Sequence, residues 1–191
     1  MEGRQKYRLV PGEGVCYNGG NRKKNGGGAA VKKKTAKTNV MRQLDRAKIA
    51  YEIREYPHEE GVAVDGVTVA RSLGQEPGSV FKTLVTRGAS GGYYVFDVPV
   101  DGELDLKKAA RAVGEKSVAM LHVAELLPLT GYVRGGCSPV GMKKQFPTVF
   151  HDSARHYDRI AVSAGKIGLQ VLAAPGDLCR LVGGRFADVI K

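Results

Sequence analysis

Residues 131–142, GYVRGGCSPVGM, form a glycine-rich stretch in the second half of the chain. The paired Gly135 and Gly136 let backbone N–H groups approach a ligand closely, and consecutive N–H groups can form an anion-binding nest. Ser138-Pro139 restricts the path by which the chain leaves the loop. Because an ordinary tight loop has a similar composition, this stretch predicts a binding loop only together with its neighbours.

Short helices and strands are predicted on both sides of this loop from the spacing of apolar residues. The predicted helices cover 39–49, 68–73, 106–113, 123–127 and 175–182, and the fourth ends before Pro128. The predicted strands cover 51–56, 80–86, 93–98, 117–121, 148–151, 160–163 and 169–173, with a hairpin turn at 89–92. Their irregular order favours an α+β fold over a repeating βαβ array.

Length and composition indicate one folded domain and exclude several classes of protein. The chain has 191 residues, of which 42% are apolar, and this is enough for a hydrophobic core. It has no apolar run of the roughly 20 residues that a membrane-spanning helix needs. Its first residues, MEGRQKYRLVPGEG, lack the apolar block of a secretory signal. Three cysteines without Cys-x-x-Cys spacing argue against a disulfide scaffold or zinc site and favour the cytoplasm.

The net charge of +11 is concentrated at the start of the chain. Residues 1–40 contain ten Lys/Arg and two Glu, which gives +8, whereas residues 41–191 contain 20 basic and 17 acidic residues, which gives +3. We therefore expect residues 1–35 to form a flexible Gly- and Lys-rich basic tail and residues 36–191 to form the folded domain. Such a tail attracts phosphate backbones. A solvated leader, or a true translation start near Met41, explains the same composition.

Two further segments carry residues suited to binding phosphate. In FKTLV, residues 81–85, Lys82 interrupts an apolar strand. It is either an edge lysine whose ammonium group reaches water or a fixed cation at a pocket mouth. In SAGKIGLQ, residues 163–170, two glycines allow a tight reversal and Ser163 can point its hydroxyl into a cleft, although a plain hairpin has the same pattern. The ATP-binding pattern Gly-x-x-x-x-Gly-Lys-Ser/Thr is absent.

The sequence predicts neither a metal ion nor a cofactor. His58, His122, His151 and His156 show no His-x-x-x-His or Glu-x-x-His spacing. Cys137 has no histidine or acidic residue at a spacing that indicates an activated nucleophile. The residues alone therefore predict a small α+β domain with glycine loops and one well-placed lysine, a combination suited to a phosphorylated ligand.

Five motifs follow one another along the chain: Tyr56-x-His58, Phe81-Lys82-Thr83-Leu84, Gly131-Tyr132-x-x-Gly135-Gly136-x-Ser138-Pro139-x-Gly141-x-Lys143-Lys144, Ser163-x-Gly165-x-x-Gly168-Leu169 and Ala174-Pro175-x-Asp177-Leu178. In this order they resemble the YbaK/EbsC family of free-standing aminoacyl-tRNA deacylases, which are related to the editing domain of bacterial prolyl-tRNA synthetase. The resemblance runs from about residue 34 to the end of the chain and omits most of the basic tail.

This resemblance implies a single compact α+β domain with a mostly antiparallel, curved, barrel-like sheet surrounded by helices. It implies removal of cysteine from Cys-tRNA(Pro), and often from Cys-tRNA(Cys), without a cofactor. The family mechanism is substrate-assisted, because the thiol of the esterified cysteine attacks its own carbonyl carbon and forms a cyclic thiolactone. The implied partners are aminoacyl-tRNA and prolyl-tRNA synthetase, and no membrane is involved.

The resemblance also implies roles for eight residues of this chain. Lys82 would be catalytic and would hold the phosphate or sugar of the terminal adenosine. The other seven would bind substrate, with Tyr56 lining the pocket and the glycine loops stabilising the developing oxyanion: Tyr56, Thr83, Gly135, Gly136, Ser138, Ser163 and Gly165.

Two departures from the family pattern bear on which amino acid is removed. A family aromatic residue expected nine residues after Tyr56 is replaced by Asp65-Gly66, and Gln170 stands where some members carry Asp. Editing of another mischarged tRNA, such as Ala-tRNA(Pro), and non-catalytic binding of aminoacyl-tRNA are therefore alternatives to cysteine removal.

Overall fold

Strands and helices alternate irregularly in the computed structural model, which describes residues 16–17 and 36–191. Its strands in chain order are β1 (Cys16–Tyr17), β2 (Tyr51–Glu55), β3 (Phe81–Gly88), β4 (Tyr93–Pro99), β5 (Val118–Met120), β6 (Thr148–His151), β7 (Ile160–Ser163), β8 (Leu169–Ala173) and β9 (Arg185–Ala187). Its α-helices are α1 (Asn39–Arg46), α2 (Gly66–Ser72), α3 (Leu106–Val113), α4 (Val123–Thr130) and α5 (Pro175–Leu181).

The strands form two sheets with the main hydrophobic core between them. One sheet has the order β1-β2-β8-β7 and is antiparallel throughout, and the other has the order β5-β3-β4-β6-β9. In the second sheet β6 runs parallel to both β4 and β9. The α+β class and the mostly antiparallel pairing are confirmed. The barrel-like closure is not confirmed, because both strand orders end at open edges.

The first helix shows how local sequence signals place the elements. The Thr38 hydroxyl accepts a hydrogen bond from the Met41 N–H at 3.3 Å and so begins α1. Val40, Met41 and Leu44 are fully buried, because their spacing puts them on one face of the helix. This face packs into the core that both sheets share.

The structure corrects the predicted end of α4. The sequence prediction ended this helix at Leu127, before Pro128, but the helix continues to Thr130 with Pro128 inside it. Pro128 removes one backbone donor from the helix. Separately, the Thr130 hydroxyl donates to the Leu126 carbonyl at 2.7 Å in the last turn. Gly131, with a φ of +83°, then ends the helix in the left-handed region.

The predicted basic tail lies mostly outside the described residues. Within it, Cys16–Tyr17 pairs with β2 in antiparallel register, Cys16 opposite Glu52 and Tyr17 opposite Tyr51. The division into a tail and a folded domain stays a prediction. Within the described part of the chain, no helix is long and apolar enough to cross a membrane.

Candidate functional site

A pocket of about 130 Å³ opens where the start of β3, the glycine loop and the β7–β8 turn region meet. Five of the residues predicted to bind substrate line it: Tyr56, Lys82, Thr83, Gly135 and Ser163. These residues are separated by up to 107 positions in the sequence (56 to 163), so their convergence is a property of the fold. The cavity is large enough for a small acyl group, and its lining includes residues from four of the five motifs.

The other three predicted residues lie behind the pocket lining. Gly136 is buried, and its N–H donates to the Val133 carbonyl at 3.0 Å. Ser138 is fully buried, and its hydroxyl oxygen accepts from the Val140 N–H at 3.4 Å. The Gly165 N–H donates to the Ser163 hydroxyl oxygen at 3.2 Å. These bonds hold the two loops in shape, so the three residues act on the pocket through their neighbours.

Lys82 is held against the end of the adjacent strand. Its ammonium group donates to the Val100 carbonyl at 3.1 Å, and its side chain is half-buried. An ammonium group has three N–H donors, so this bond fixes the position of the charge without exhausting its hydrogen-bonding capacity. Lys82 therefore presents a positioned cation at the pocket wall.

The Asp65-Gly66 departure begins a helix that packs on the same strand end. The Asp65 carboxylate accepts from the Thr68 N–H at 3.0 Å and caps α2. This bond is the main cause that lowers the pKa of Asp65, and the charge of Lys82 lowers it further. A Cβ atom at Gly66 would lie 2.4 Å from a Val100 methyl carbon, so only glycine allows this approach. The pocket wall here is therefore backbone and not an aromatic ring.

The glycine loop is closed by a buried tyrosine. Tyr132 is 7% exposed, and its hydroxyl donates to the carbonyl of the buried Val140 at 2.7 Å. Burial raises the pKa of Tyr132 to about 12, so the hydroxyl remains a donor at neutral pH. The next carbonyl, that of Gly141, accepts from the Asn39 side-chain amide at 2.8 Å, which ties the loop to α1.

Two glycines allow the loop to approach its neighbours closely. Gly135 has a φ of +82°, and a Cβ atom there would lie 2.7 Å from the Ala63 Cβ. Gly165 has a φ of +86°, and a Cβ atom there would lie 2.9 Å from a Tyr132 ring carbon. Left-handed backbone and close packing coincide at both positions, so glycine is required on two independent grounds.

Ser163 and Gln170 form a polar edge of the pocket. They are opposite each other in the β7–β8 pair, and both line the cavity. Gln170 is 6% exposed, and its side-chain oxygen has no hydrogen-bond partner among the described residues. A buried oxygen without a hydrogen bond lowers the stability of the fold, so this oxygen is suited to accept a hydrogen bond from a ligand. Sequence reasoning missed this role, since Gln170 stands out in the sequence only as a departure from the family pattern.

Cys137 lines the pocket but is not an activated thiol. It is 7% exposed, and burial raises its pKa to about 12. A thiol with such a pKa carries almost no thiolate at neutral pH. Within residues 16–17 and 36–191, no group of three His, Cys, Asp or Glu side chains is arranged to hold a metal ion.

Comparison with known proteins identifies the family. Residues 61–181 match the family model of the aminoacyl-tRNA editing domain. The chain belongs to this family. It is 48% identical over 153 residues to EbsC of Enterococcus faecalis, named as a candidate Cys-tRNA(Pro)/Cys-tRNA(Cys) deacylase, and the match covers 80% of this chain and 93% of the relative.

Two solved structures share the fold of this chain. A candidate trans-editing enzyme for prolyl tRNA synthetase is 28% identical with a TM-score of 0.69, and the match covers 80% of this chain and 95% of that one. The hypothetical protein APE2540 is 21% identical with a TM-score of 0.72, covering 81% of this chain and 100% of that one. The second likeness concerns the fold alone.

Replacing Tyr132 by Phe should destabilise this editing domain through the glycine loop. The substitution leaves the buried Val140 carbonyl without its partner, so we expect the free energy of unfolding to fall by about 1–3 kcal/mol. Urea unfolding measures the change. Tyr157→Phe is the matched control, because the Tyr157 hydroxyl donates to the Glu76 carboxylate at the surface, and we expect a loss of about 0.5 kcal/mol or less. Equal losses in both variants would contradict the role given to Tyr132.

Proposed function

We propose that this protein removes cysteine from mischarged Cys-tRNA(Pro), and from Cys-tRNA(Cys), acting in trans after the synthetase has released the tRNA. The observation that carries the proposal is the convergence of Lys82, Thr83, Gly135 and Ser163 on one pocket in a chain of the editing-domain family. The name of the E. faecalis relative supports this choice of substrate, because its identity of 48% extends over four-fifths of the chain.

In this proposal Lys82 binds the 3′-terminal adenosine of the tRNA. A lysine ammonium group is a compact point charge suited to a phosphate oxygen or a ribose hydroxyl. The bond to the Val100 carbonyl holds that charge in place before substrate arrives. Binding energy from the adenosine then positions the ester in the pocket, and no energy is spent on moving the lysine.

Ser163 is the group best placed to stabilise the developing oxyanion. Its oxygen accepts from the Gly165 N–H, so the hydroxyl hydrogen stays available to a ligand in the pocket that Ser163 lines. The N–H groups of Gly136 and Gly165 are already used within the loops. We therefore assign the oxyanion contact to the Ser163 hydroxyl, and give the two glycines the role of fixing it.

The nucleophile in this proposal is the thiol of the substrate. Its sulfur forms a bond to the ester carbonyl carbon, the bond from that carbon to the ribose oxygen breaks, and the thiol proton ends on the ribose oxygen. The products are free tRNA and cysteine thiolactone. An intramolecular attack needs positioning rather than an enzymic nucleophile, and this agrees with the raised pKa of Cys137.

Editing of Ala-tRNA(Pro) is the second candidate function. The observation that favours it is the small cavity of about 130 Å³, with glycine at position 66 in its wall, because alanine and cysteine differ by one sulfur atom. A pocket separates such similar side chains only weakly by size.

The proposal includes prolyl-tRNA synthetase as a partner, because a structural relative is described as a trans-editing enzyme for it. We place the reaction in the cytoplasm.

Replacing Lys82 by Ala should reduce deacylation of Cys-tRNA(Pro) by at least about 100-fold, the scale of removing one preorganised electrostatic interaction. Release of labelled cysteine from the tRNA measures the rate, and circular dichroism verifies the fold. Lys107→Ala removes an exposed lysine of α3 outside the pocket and should leave the rate at the wild-type level. Normal turnover by a folded Lys82→Ala variant would exclude Lys82 from the site.

The substrate and the mechanism are tested together by three esters. We expect rapid loss of cysteine from Cys-tRNA(Pro), and little loss from Ala-tRNA(Pro) or from S-methylated Cys-tRNA(Pro), because methylation blocks the thiol. Loss of alanine or of methylated cysteine would mean that water attacks and that shape selects the substrate. If none of the three esters is cleaved, the protein is a binding module.

The basic segment of residues 1–35 is proposed to add non-specific attraction to tRNA. It carries nine Lys/Arg and two Glu. Deleting it should reduce the slope of log Kobs against log salt by roughly 0.7 to 0.9 for each phosphate that the segment neutralises. Filter binding at several salt concentrations measures the slope, and replacing Lys32, Lys33 and Lys34 by Gln is a smaller change that should lower it in part. An unchanged slope after deletion would contradict the proposal.

A further inference from the structure

A carboxyl group with no assigned function lies directly behind the pocket. Asp97 in β4 is opposite Thr83 in β3, and its side chain is fully buried. One carboxyl oxygen is 2.8 Å from the Thr83 hydroxyl oxygen. The second has no hydrogen-bond partner among the described residues. Thr83 lines the cavity and Asp97 does not, so Thr83 is the hydrogen-bonded link between Asp97 and the cavity.

The surroundings of Asp97 do not stabilise a negative charge. On β4, Val95 lies two residues before Asp97, on the same face of the sheet, and is fully buried, and on β6 the residue opposite Asp97 is the fully buried Phe150. From the glycine loop, the titratable group that interacts electrostatically with Asp97 is the Cys137 thiol, which brings no positive charge. Burial raises the pKa of Asp97 to about 8, while the Thr83 hydrogen bond opposes this shift. The carboxyl group is therefore largely protonated at neutral pH.

The proton on Asp97 decides the direction of its hydrogen bond to Thr83. A carboxylate only accepts, so ionised Asp97 takes the hydroxyl hydrogen of Thr83 and leaves Thr83 as an acceptor toward the pocket. A neutral carboxylic acid has an O–H of its own and can donate to the Thr83 oxygen. The Thr83 hydroxyl hydrogen is then available to a ligand. The distance of 2.8 Å between the two oxygens is compatible with donation by Thr83 and with donation by Asp97.

We propose that Asp97 is a positioning residue that, in its neutral form, turns the Thr83 hydroxyl into a hydrogen-bond donor for the acyl end of the substrate. This inference rests on the proposed function, because the acceptor in the pocket is the ester carbonyl of an aminoacyl-tRNA. Thr83 and Ser163 then supply two hydroxyl donors from two different sheets. Ionisation of Asp97 withdraws the first of them.

The test compares wild type with Asp97→Asn across pH. An asparagine amide has nearly the same shape and can donate to Thr83, but it does not titrate. Deacylation of Cys-tRNA(Pro) is measured from about pH 6.5 to about pH 9, on either side of the Asp97 pKa of about 8. The rate is corrected for spontaneous hydrolysis. The ratio of the wild-type rate to the Asp97→Asn rate cancels the titration of the substrate thiol and amine.

We expect this ratio to fall by about three- to tenfold as the pH rises, the effect of removing one neutral hydrogen bond. The fall should persist when Thr83→Ser is added to both proteins, because serine keeps the hydroxyl, and it should vanish when Thr83→Val is added. A ratio that is constant with pH would overturn the proposal. So would an equal fall in the Thr83→Val background, since Asp97 would then act by another route.

A spectroscopic measurement separates this proposal from the proposed function. Infrared difference spectra should show the C=O band of a protonated, buried carboxyl group in wild type at about pH 6.5, its disappearance by about pH 9, and its absence from Asp97→Asn. The absence of this band from wild type would overturn the proposal whatever the activity. Wild type that shows the band but cleaves no aminoacyl-tRNA would overturn the proposed function, and with it the role of Thr83 as a donor to substrate.

Discussion

The hydrogen bond from the Tyr132 hydroxyl to the Val140 carbonyl closes the glycine loop, and the shape of the pocket depends on it. A loop whose glycines have positive φ has little intrinsic preference for one conformation, because glycine loses more entropy on folding than any other residue. The buried tyrosine compensates by joining the two ends of residues 132–140 and by filling the space beside Gly165. One side chain therefore sets the distance between the glycine loop and the β7–β8 turn.

Tyr132 also connects the glycine loop of the pocket to the hydrophobic core. Tyr132 packs with Val40 of α1 and with strands of both sheets in a single hydrophobic cluster. Lys82 and Thr83 come from one sheet, Ser163 and Gln170 from the other, and Gly135 from the loop between them. A change in the packing of the two sheets would therefore move the pocket residues relative to one another. The core thus contributes to the rigidity of the pocket, beside the hydrogen bonds that hold Lys82 and Ser163.

Sequence patterns placed most of the helices and strands, and the motifs of the resemblance named five of the residues that line the pocket. Apolar spacing, the Asp105 cap and Gly114 place α3, and the 89–92 turn places the β3–β4 hairpin. The long-range features were missed because their signals are not local. The strand β9 is three residues long and only partly buried, and it pairs in parallel with β6. Pro128 predicted a helix end, but one missing donor is tolerated so close to the natural end of α4.

Asp97 shows a further limit of prediction from sequence. In the segment YYVFDVP it occupies an alternating position of a strand, where an aspartate usually faces water. Its burial follows from long-range pairing, because β4 lies inside the sheet between β3 and β6, with Asp97 opposite the buried Phe150. A polar group kept in such a place is costly unless it is paired, and here Thr83 is the partner. The pocket lining thus includes hydroxyl, amide and ammonium groups, of which those of Lys82, Thr83 and Ser163 are fixed by hydrogen bonds. In the proposed function, a cysteine side chain differs from alanine by one sulfur atom that such a pocket binds only weakly, so the reactivity of the sulfur would supply most of the discrimination.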